Sequence, residues 1–276
     1  MEQYEKSIIP FIESIYSTFT PMEKVVADFF IQNMEKTELS AKDVSRHLFV
    51  SEASLSRFAQ KCGYKGYREF LFHYKESFNK EEVVTDDNSK RVLNTYQELL
   101  NKSYSLVNES QMNRIVKLFQ EKKRVYVYGR GSSGLVGSEM KLRFMRIGVN
   151  MESIVDSHIM RMNSVILDDS CVVIGISVSG TTPEVIDSLK SAKEKGAVTI
   201  LMTCRHSKEF EECFDEVMLL AVKEHLDNGM AISPQFPILV MVDILYSHFL
   251  ESDKFHMEAL HDYTMDALSK QKPALL

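Results

Sequence analysis

Two segments rich in glycine and hydroxyl residues could bind an anion. The first, residues 129–134 (Gly-Arg-Gly-Ser-Ser-Gly), follows an apolar β-branched run and precedes a helical pattern. Glycine lets the backbone approach an anion closely, and a helix N-terminus carries a partial positive charge. The spacing also fits the G-x-G-x-x-G turn that binds the pyrophosphate of a dinucleotide. This segment by itself therefore leaves phosphate binding and dinucleotide binding open.

The second segment, residues 177–182 (Ser-Val-Ser-Gly-Thr-Thr), favours a phosphate. It also follows an apolar run, and Pro183 suits the first turn of the next helix. A turn that only caps a helix needs one hydroxyl, whereas this segment has four. A phosphate monoester presents oxygens in several directions, which many small donors can satisfy. The predicted ligand contacts are Gly129, Gly131, Ser132, Ser133, Ser177, Ser179, Gly180, Thr181 and Thr182.

A basic segment near the N-terminus predicts a contact with DNA. From Lys42 to Arg68 there are six basic and two acidic residues, in a chain whose formal net charge is −6. Two short helical patterns occupy residues 41–49 and 52–61. Small residues at the start of the second helix permit close approach to base edges in a major groove. The predicted DNA contacts are Arg46, Ser51, Ala53, Ser54, Ser56, Arg57, Lys61 and Lys65.

The residues at the two ends of the second helix suit a helix-turn-helix. Ser51 is the expected N-cap of the second helix, and Gly63 is its expected left-handed stop. A helical hairpin with a solvated charged face is the alternative explanation of the pattern.

The periodicity of the chain predicts the elements that position these segments. Residues 1–78 have helical spacing throughout, residues 79–90 form a polar, acidic linker, and residues 91–276 form a second domain. In the second domain helices, such as 182–195, alternate with β-rich runs at 124–128, 150–154, 171–176, 198–202 and 216–221. The fold class expected is an all-α helix-turn-helix domain followed by an α/β domain with a doubly wound parallel sheet.

Composition excludes several classes of protein. With 44% hydrophobic and 26% charged residues, the chain of 276 residues is globular. Its first residues lack a signal-peptide pattern, and its most apolar stretch, residues 236–250, is too short and too interrupted to span a bilayer. We therefore expect a cytoplasmic protein without membrane association. The four cysteines are scattered and predict reduced thiols, with neither metal nor disulfide.

Both sets of motifs resemble known families. Residues 19–21, 50–54, 57–58 and 63–70 closely resemble the helix-turn-helix of RpiR-type transcriptional regulators. Residues 129–133 and 177–182 resemble the phosphate loops of the sugar isomerase (SIS) fold. The resemblance covers nearly the whole chain. It implies a homodimer or homotetramer, a double-stranded DNA operator, a sugar-phosphate effector and control of sugar-metabolism genes. It also implies phosphate contacts by Ser132, Ser133, Ser177, Ser179 and Thr182, and DNA contacts by Ser51, Ser54, Ser56 and Arg57.

Two other functions stay open at this point. One is an SIS-fold isomerase, for which Glu139, Glu184, His158 and His225 are the candidate acids and bases; no pair of them is recognisable, so we expect no catalysis. The other is a DNA-binding NAD(H) sensor, in which Glu152 would bind the ribose hydroxyls. We expect no cofactor. The apolar spacing of residues 253–276 predicts a helix that packs on a partner subunit.

Overall fold

The computed structural model describes residues 8–32, 39–79, 87–223 and 229–269. Its residues separate into two compact units, 1–86 and 87–276. Among the described residues, no helix is long and apolar enough to cross a membrane.

The first unit is helical and has an aromatic core. The described helices are α1 (Ile8–Ser14), α2 (Pro21–Gln32), α3 (Ala41–Leu48), α4 (Glu52–Lys61) and α5 (Tyr67–Asn79). The Phe30 ring meets the rings of Phe70 and Tyr74 edge-on, each at 4.8 Å between centroids. The Tyr74 hydroxyl donates to the Phe30 carbonyl at 2.9 Å, and burial raises the pKa of Tyr74 to about 12. This hydroxyl therefore remains a donor at neutral pH, which ties α5 to α2.

The second unit contains a parallel sheet covered by helices on both faces. Its described helices are α6 (Asp87–Leu106), α7 (Glu109–Glu121), α8 (Ser132–Met145), α9 (Ser157–Ser164), α10 (Pro183–Glu194), α11 (Lys208–Cys213), α12 (Gln235–Ser252) and α13 (Lys254–Ser269). Its strands are β1 (Arg124–Gly129), β2 (Met151–Ile154), β3 (Cys171–Ile176), β4 (Val198–Thr203) and β5 (Glu216–Leu219). Residues of α7, α8 and α12 form the core on one face, and residues of α9, α10 and α11 form the core on the other. The predicted doubly wound fold is confirmed.

Strand order determines where this unit can bind a ligand. The order is β2-β1-β3-β4-β5, and every pairing is parallel. Chain connections therefore leave β1 toward one edge and β3 toward the other, which opens a crevice outside the carboxyl ends of these two strands. Both predicted ligand segments follow these strands: residues 129–134 come after β1 and residues 177–182 after β3.

Two predicted boundaries differ from the structure. The linker was expected over 79–90, but α6 begins at Asp87, where Asp, Asn and Ser residues provide the polar and acidic side chains that favour a helix start. Residues 80–86 of that linker lie outside the described residues. The fifth strand was expected to reach Ala221 but ends at Leu219, because its last partner is Thr203, the final residue of β4.

Candidate ligand cavity and DNA-binding surface

A cavity of about 690 Å³ lies at the carboxyl ends of β1, β3 and β4. Its lining residues are Arg130, Ser132, Ser133, Val178, Ser179, Thr182, Cys204, Arg205, Val222 and Pro234. Of the nine predicted ligand residues, four therefore line the cavity: Ser132, Ser133, Ser179 and Thr182. All four carry hydroxyl groups, and the N-termini of α8 and α10 begin beside them.

Glycines bring the first loop close to the sheet. A Cβ atom on Gly129 would lie 2.9 Å from the backbone nitrogen of Gly134, and one on Gly134 would lie 2.7 Å from the carbonyl oxygen of Gly129. Both residues therefore permit close packing of α8 against the end of β1. Gly131 has φ 52° at the N-cap of α8 and turns the chain so that Ser132 and Ser133 line the cavity. Gly129 and Gly131 shape the loop, and the structure does not place them in the lining.

An internal hydrogen-bond pair holds the second loop in shape. The buried Ser177 hydroxyl donates to Thr182 Oγ1 at 3.0 Å and accepts from the Thr182 backbone N–H at 3.3 Å. Ser179 and Thr181 share a hydrogen bond of 2.8 Å between their hydroxyl oxygens. Gly180 has φ 66°, and a Cβ atom there would lie 3.1 Å from Thr203 Oγ1. Ser177, Gly180 and Thr181 thus position Ser179 and Thr182 without lining the cavity themselves.

Two arginines in the lining were missed from the predicted set. Arg130 lies inside the first loop, and its Nη1 is 3.3 Å from Oε1 of Glu184. Arg205 follows β4; its guanidinium carbon lies 5.6 Å from the centroid of the Phe210 ring. The sequence signal was the presence of a basic residue just after β1 and just after β4, because a phosphate dianion requires positive charge as well as hydroxyl donors.

The loop after β4 is fixed to the loop after β3. The backbone N–H of Cys204 donates to the carbonyl of Val178 at 2.9 Å, and the backbone N–H of Arg205 donates to Thr203 Oγ1 at 3.1 Å. The role of residues 203–205 could not be assigned from sequence. In the structure they close one side of the cavity with Cys204 and Arg205.

The helix-turn-helix in the first unit has the expected local geometry. The hydroxyl of Ser51 accepts from the backbone N–H of Ser54 at 3.1 Å, so Ser51 is the N-cap of α4. Gly63 has φ 88°, as predicted for the residue that ends this helix. The turn before α4 contains Phe49, which has left-handed backbone angles (φ 54°, ψ 39°) and a side chain that is 92% exposed.

Most predicted DNA contacts lie on an accessible surface. Arg46, Ser51, Ala53, Arg57 and Lys65 are exposed, and Ser54 and Ser56 are half-buried. Beside them is an open groove of about 810 Å³. Its lining residues are Ala41, Ser56, Lys65, Gly66, Tyr67, Arg68, Glu69, Phe72 and His73. The two basic residues at this groove, Lys65 and Arg68, suit contacts with a phosphate backbone.

Lys61 has partners within its own domain. Its ammonium donates to the carbonyl of Thr18 at 2.6 Å and lies 2.9 Å from Oε2 of Glu23. Although burial raises the pKa of Glu23, hydrogen bonds from Thr20 and Lys61 outweigh it and hold that pKa below its usual value. The structure thus gives Lys61 a role in joining α4 to the start of α2, a contact that spacing along the chain could not reveal.

Family models match parts of both units of the chain. The helix-turn-helix domain of the rpiR family matches residues 6–81, and the SIS domain matches residues 117–247. The chain therefore combines an rpiR-family helix-turn-helix domain with an SIS domain, the domain arrangement of RpiR-type transcriptional regulators. An uncharacterized HTH-type transcriptional regulator of Haemophilus influenzae is 26% identical over 276 residues, covering 95% of this chain and 96% of its own length.

Solved structures of low sequence identity share the fold of this regulator. The Vibrio vulnificus NanR protein complexed with ManNAc-6P aligns with a TM-score of 0.61 and 22% identity, over 97% of this chain and 100% of its own. The sugar isomerase domain of an RpiR transcription factor from Sphaerobacter thermophilus aligns with a TM-score of 0.56 and 16% identity, over 66% of this chain and 99% of its own.

The residues considered for catalysis are dispersed in this regulator. Glu184 pairs with Arg130, and Glu139 lines a separate cavity with Arg143 and Asp243. His158 is exposed at the start of α9, and His225 lies outside the described residues. The described residues that line the ligand cavity include neither a carboxylate nor an imidazole.

The NAD(H)-sensor hypothesis also lacks its predicted contact with the ribose hydroxyls. Glu152 lies within β2, opposite Tyr126 of β1, and its carboxylate oxygens are 2.9 and 3.0 Å from the ammonium of Lys141. It does not line the cavity. Among the described residues, no group of three or more His, Cys, Asp or Glu side chains could hold a metal ion.

Proposed function

We propose that this regulator binds a double-stranded DNA operator through α3 and α4 and senses a sugar phosphate in the cavity of its SIS domain. The observation that carries the proposal is the convergence of four hydroxyls and two guanidinium groups at the strand-order reversal between β1 and β3. Such a regulator acts on chromosomal DNA and therefore in the cytoplasm.

The chemistry of the cavity supports a phosphate monoester as the recognised group. Ser132, Ser133, Ser179 and Thr182 supply neutral donors, and Arg130 and Arg205 supply charge. The N-termini of α8 and α10 add backbone dipoles that favour an anion. NanR, which shares the fold, has a complex with ManNAc-6P. We therefore assign phosphate binding to the two loops and recognition of the sugar to the remaining lining.

The DNA site combines direct and backbone contacts. At the start of α4, small side chains allow close approach to base edges in a major groove. We infer that the residues that meet these edges are Ser51, Ala53, Ser54, Ser56 and Arg57. The exposed cations Arg46 and Lys65 contact phosphates on either side. Helix-turn-helix proteins bind two half-sites as dimers, so we propose a homodimer or a tetramer made of two such dimers.

We further propose that the cavity binds its ligand without turnover. Isomerisation of a sugar phosphate requires a general base near the carbon acid, and the described lining provides no carboxylate or imidazole for this role. An isomerase would convert an aldose phosphate to a ketose phosphate in a coupled assay. Turnover by the purified full chain would contradict this part of the proposal.

The first experiment is a thermal-shift screen of the full chain against hexose, pentose and amino-sugar phosphates, with NADH as a control. A ligand that binds only the folded state raises the unfolding temperature. We expect stabilisation by at least one sugar phosphate, and loss of that stabilisation in Ser179→Ala. Stabilisation by NADH alone would contradict the assignment of the cavity.

The DNA half of the proposal has a separate test. Duplexes selected from a random library by the full chain would provide an operator, and fluorescence anisotropy would then measure affinity with and without the stabilising sugar phosphate. An affinity for operator DNA that does not change with this ligand would contradict sensing.

A further inference from the structure

Arg130 makes an ion pair that joins the two ligand loops. It extends from the loop after β1, and its guanidinium meets Glu184 in the first turn of α10, just beyond the loop after β3. The Nη1–Oε1 distance is 3.3 Å. The side chain of Arg130 is 45% exposed and that of Glu184 is 31% exposed. Arg130 lines the cavity, whereas Glu184 does not.

Arg205, the other guanidinium in the lining, is held differently. Its guanidinium carbon lies over the ring of Phe210 at 5.6 Å, and its backbone N–H is bonded to Thr203 Oγ1. A guanidinium over an aromatic face keeps its charge available to an anion on its other side. Arg130, in contrast, interacts with a carboxylate that a bound anion would have to replace or share.

We propose that the phosphate group of the ligand takes Arg130 from Glu184, so that this ion pair is a contact between the loops that ligand binding opens. The inference rests on the proposed phosphate-binding function. It adds that the carboxylate of Glu184 competes with the bound phosphate for Arg130. Arg130 therefore has two alternative partners, which makes the arrangement of the two loops dependent on the ligand.

The electrostatics of the two partners favour this exchange. A phosphate monoester carries close to two negative charges at neutral pH and accepts a bidentate guanidinium. The carboxylate of Glu184 carries one charge and is partly exposed, and a surface ion pair of this kind contributes little. Glu184 also lies in the first turn of α10, where the helix dipole continues to stabilise its charge after Arg130 leaves.

The test is a double-mutant cycle on the full chain, with inorganic phosphate as the probe. Isothermal titration calorimetry at constant ionic strength, without sulfate, gives the dissociation constant Kd for the wild type, Glu184→Gln, Arg130→Ala and the double variant. Because a neutral amide competes less well for Arg130 than a carboxylate does, we expect the Glu184→Gln change to lower Kd about two- to fivefold. We expect Arg130→Ala to raise Kd, and the double variant to have the same Kd as Arg130→Ala.

A matched control separates the exchange from a general change in charge. Glu121→Gln removes the same charge from another surface ion pair, with Lys117 at 3.6 Å, at the end of α7 that leads into the opposite end of β1. The Kd of the Glu121→Gln variant for phosphate should equal that of the wild type. The unfolding temperature without phosphate reports whether each variant folds, and Arg130→Gln replaces Arg130→Ala if the alanine variant does not.

Each result of the cycle has one meaning. If Glu184→Gln lowers Kd equally with and without Arg130, Glu184 only repels the ligand, and the exchange is wrong. An unchanged Kd in Glu184→Gln would also overturn it, while leaving phosphate sensing intact. If neither the wild type nor any variant binds phosphate, the assignment of phosphate binding to the two loops fails, and the exchange fails with it. The thermal-shift screen decides separately whether a sugar phosphate binds.

Discussion

Hydroxyl side chains in the two ligand loops have two distinct roles. Ser132, Ser133, Ser179 and Thr182 line the cavity, whereas Ser177 uses its hydroxyl inside the loop, in two hydrogen bonds with Thr182. From sequence all of them were candidates for ligand contact, because residue type alone does not distinguish a donor to a ligand from a donor to the loop. Whether a hydroxyl faces the cavity or is buried within the loop in the folded chain distinguishes the two roles.

Ser132→Ala should weaken binding of the sugar phosphate. One lost hydrogen bond to a charged group contributes about 1–2 kcal/mol, so we expect a Kd roughly 5–30 times higher by calorimetry. Ser138→Ala, on the same helix α8, is the matched control, because its hydroxyl bonds to the Gly134 carbonyl and Ser138 does not line the cavity. Equal loss of affinity in both variants would show that Ser132 acts only through the helix.

Phe49→Gly should make the helix-turn-helix domain more stable. Among the described residues, Phe49 is the only non-glycine residue with a positive φ. This conformation costs a non-glycine residue about 1–2 kcal/mol. Glycine removes that cost but loses more backbone entropy on folding, which leaves a net gain of up to about 1 kcal/mol. Thermal unfolding measures the effect. Phe49→Ala keeps the backbone cost, so Phe49→Gly should unfold at a higher temperature than Phe49→Ala; the reverse order would contradict this account.

At the scale of elements, Asp215 fixes β5 beside β4. Its Oδ2 accepts from the backbone N–H of Thr199 at 2.8 Å and from the Thr199 hydroxyl at 2.7 Å, and Lys193 lies 3.2 Å from Oδ1. Burial raises the pKa of Asp215, but the hydrogen bonds from Thr199 and Lys193 outweigh burial and hold it below the usual value. The carboxylate therefore stabilises the fold only while it is ionised.

Asp215→Asn should lower stability at neutral pH and much less in acid. Because the pKa is lowered in the folded state, the stabilisation is fully present above the unfolded pKa of about 4 and is lost as the pH falls through the folded pKa. With 39% of the side chain exposed, we expect about 1 kcal/mol at pH 7. Chemical denaturation of both proteins at neutral pH and below pH 4 measures the difference, and a difference independent of pH would contradict it.

The helices and strands of this fold were largely predictable from sequence, whereas the contacts between segments distant along the chain were not. The strands β1, β3 and β4 were found from sequence because at least five of the six residues in each are buried, so that they have no polar face to obscure them. Sequence placed residues 129–134 and 177–182 at strand ends and assigned both to one ligand, but the strand order, with β1 beside β3, depends on contacts distant along the chain. For the same reason Arg205 and the partners of Lys61 were missed.

At the scale of the whole molecule, the two proposed sites lie in different compact units. The helix-turn-helix belongs to the unit of residues 1–86, and the ligand cavity belongs to the unit of residues 87–276. The described residues of each proposed site belong to one unit. Any influence of the ligand on DNA binding is therefore a coupling free energy between two sites, and such a coupling is reciprocal.

This reciprocity gives a quantitative prediction. If the sugar phosphate changes the Kd for operator DNA by some factor, saturating operator DNA must change the Kd for the sugar phosphate by the same factor, typically about 5–150. Anisotropy measures the first value and calorimetry the second. Equal ligand affinity with and without DNA, together with DNA affinity that depends on ligand, would mean that the two titrations do not report one linked equilibrium.

Arg57→Ala separates the two sites. Arg57 is exposed on α4, and its Nε contacts only the carbonyl of Ala53 among the hydrogen bonds of the described residues, so its removal leaves the domain core unchanged. We expect operator affinity to fall by about 1–3 kcal/mol, with relaxed specificity at one base pair, and the Kd for the sugar phosphate without DNA to stay as in the wild type. Lys65→Ala, which removes a proposed contact with the DNA phosphate backbone, should instead weaken binding to all duplexes and lower the salt dependence by about one counterion. Operator affinity unchanged in Arg57→Ala would remove this residue from the interface.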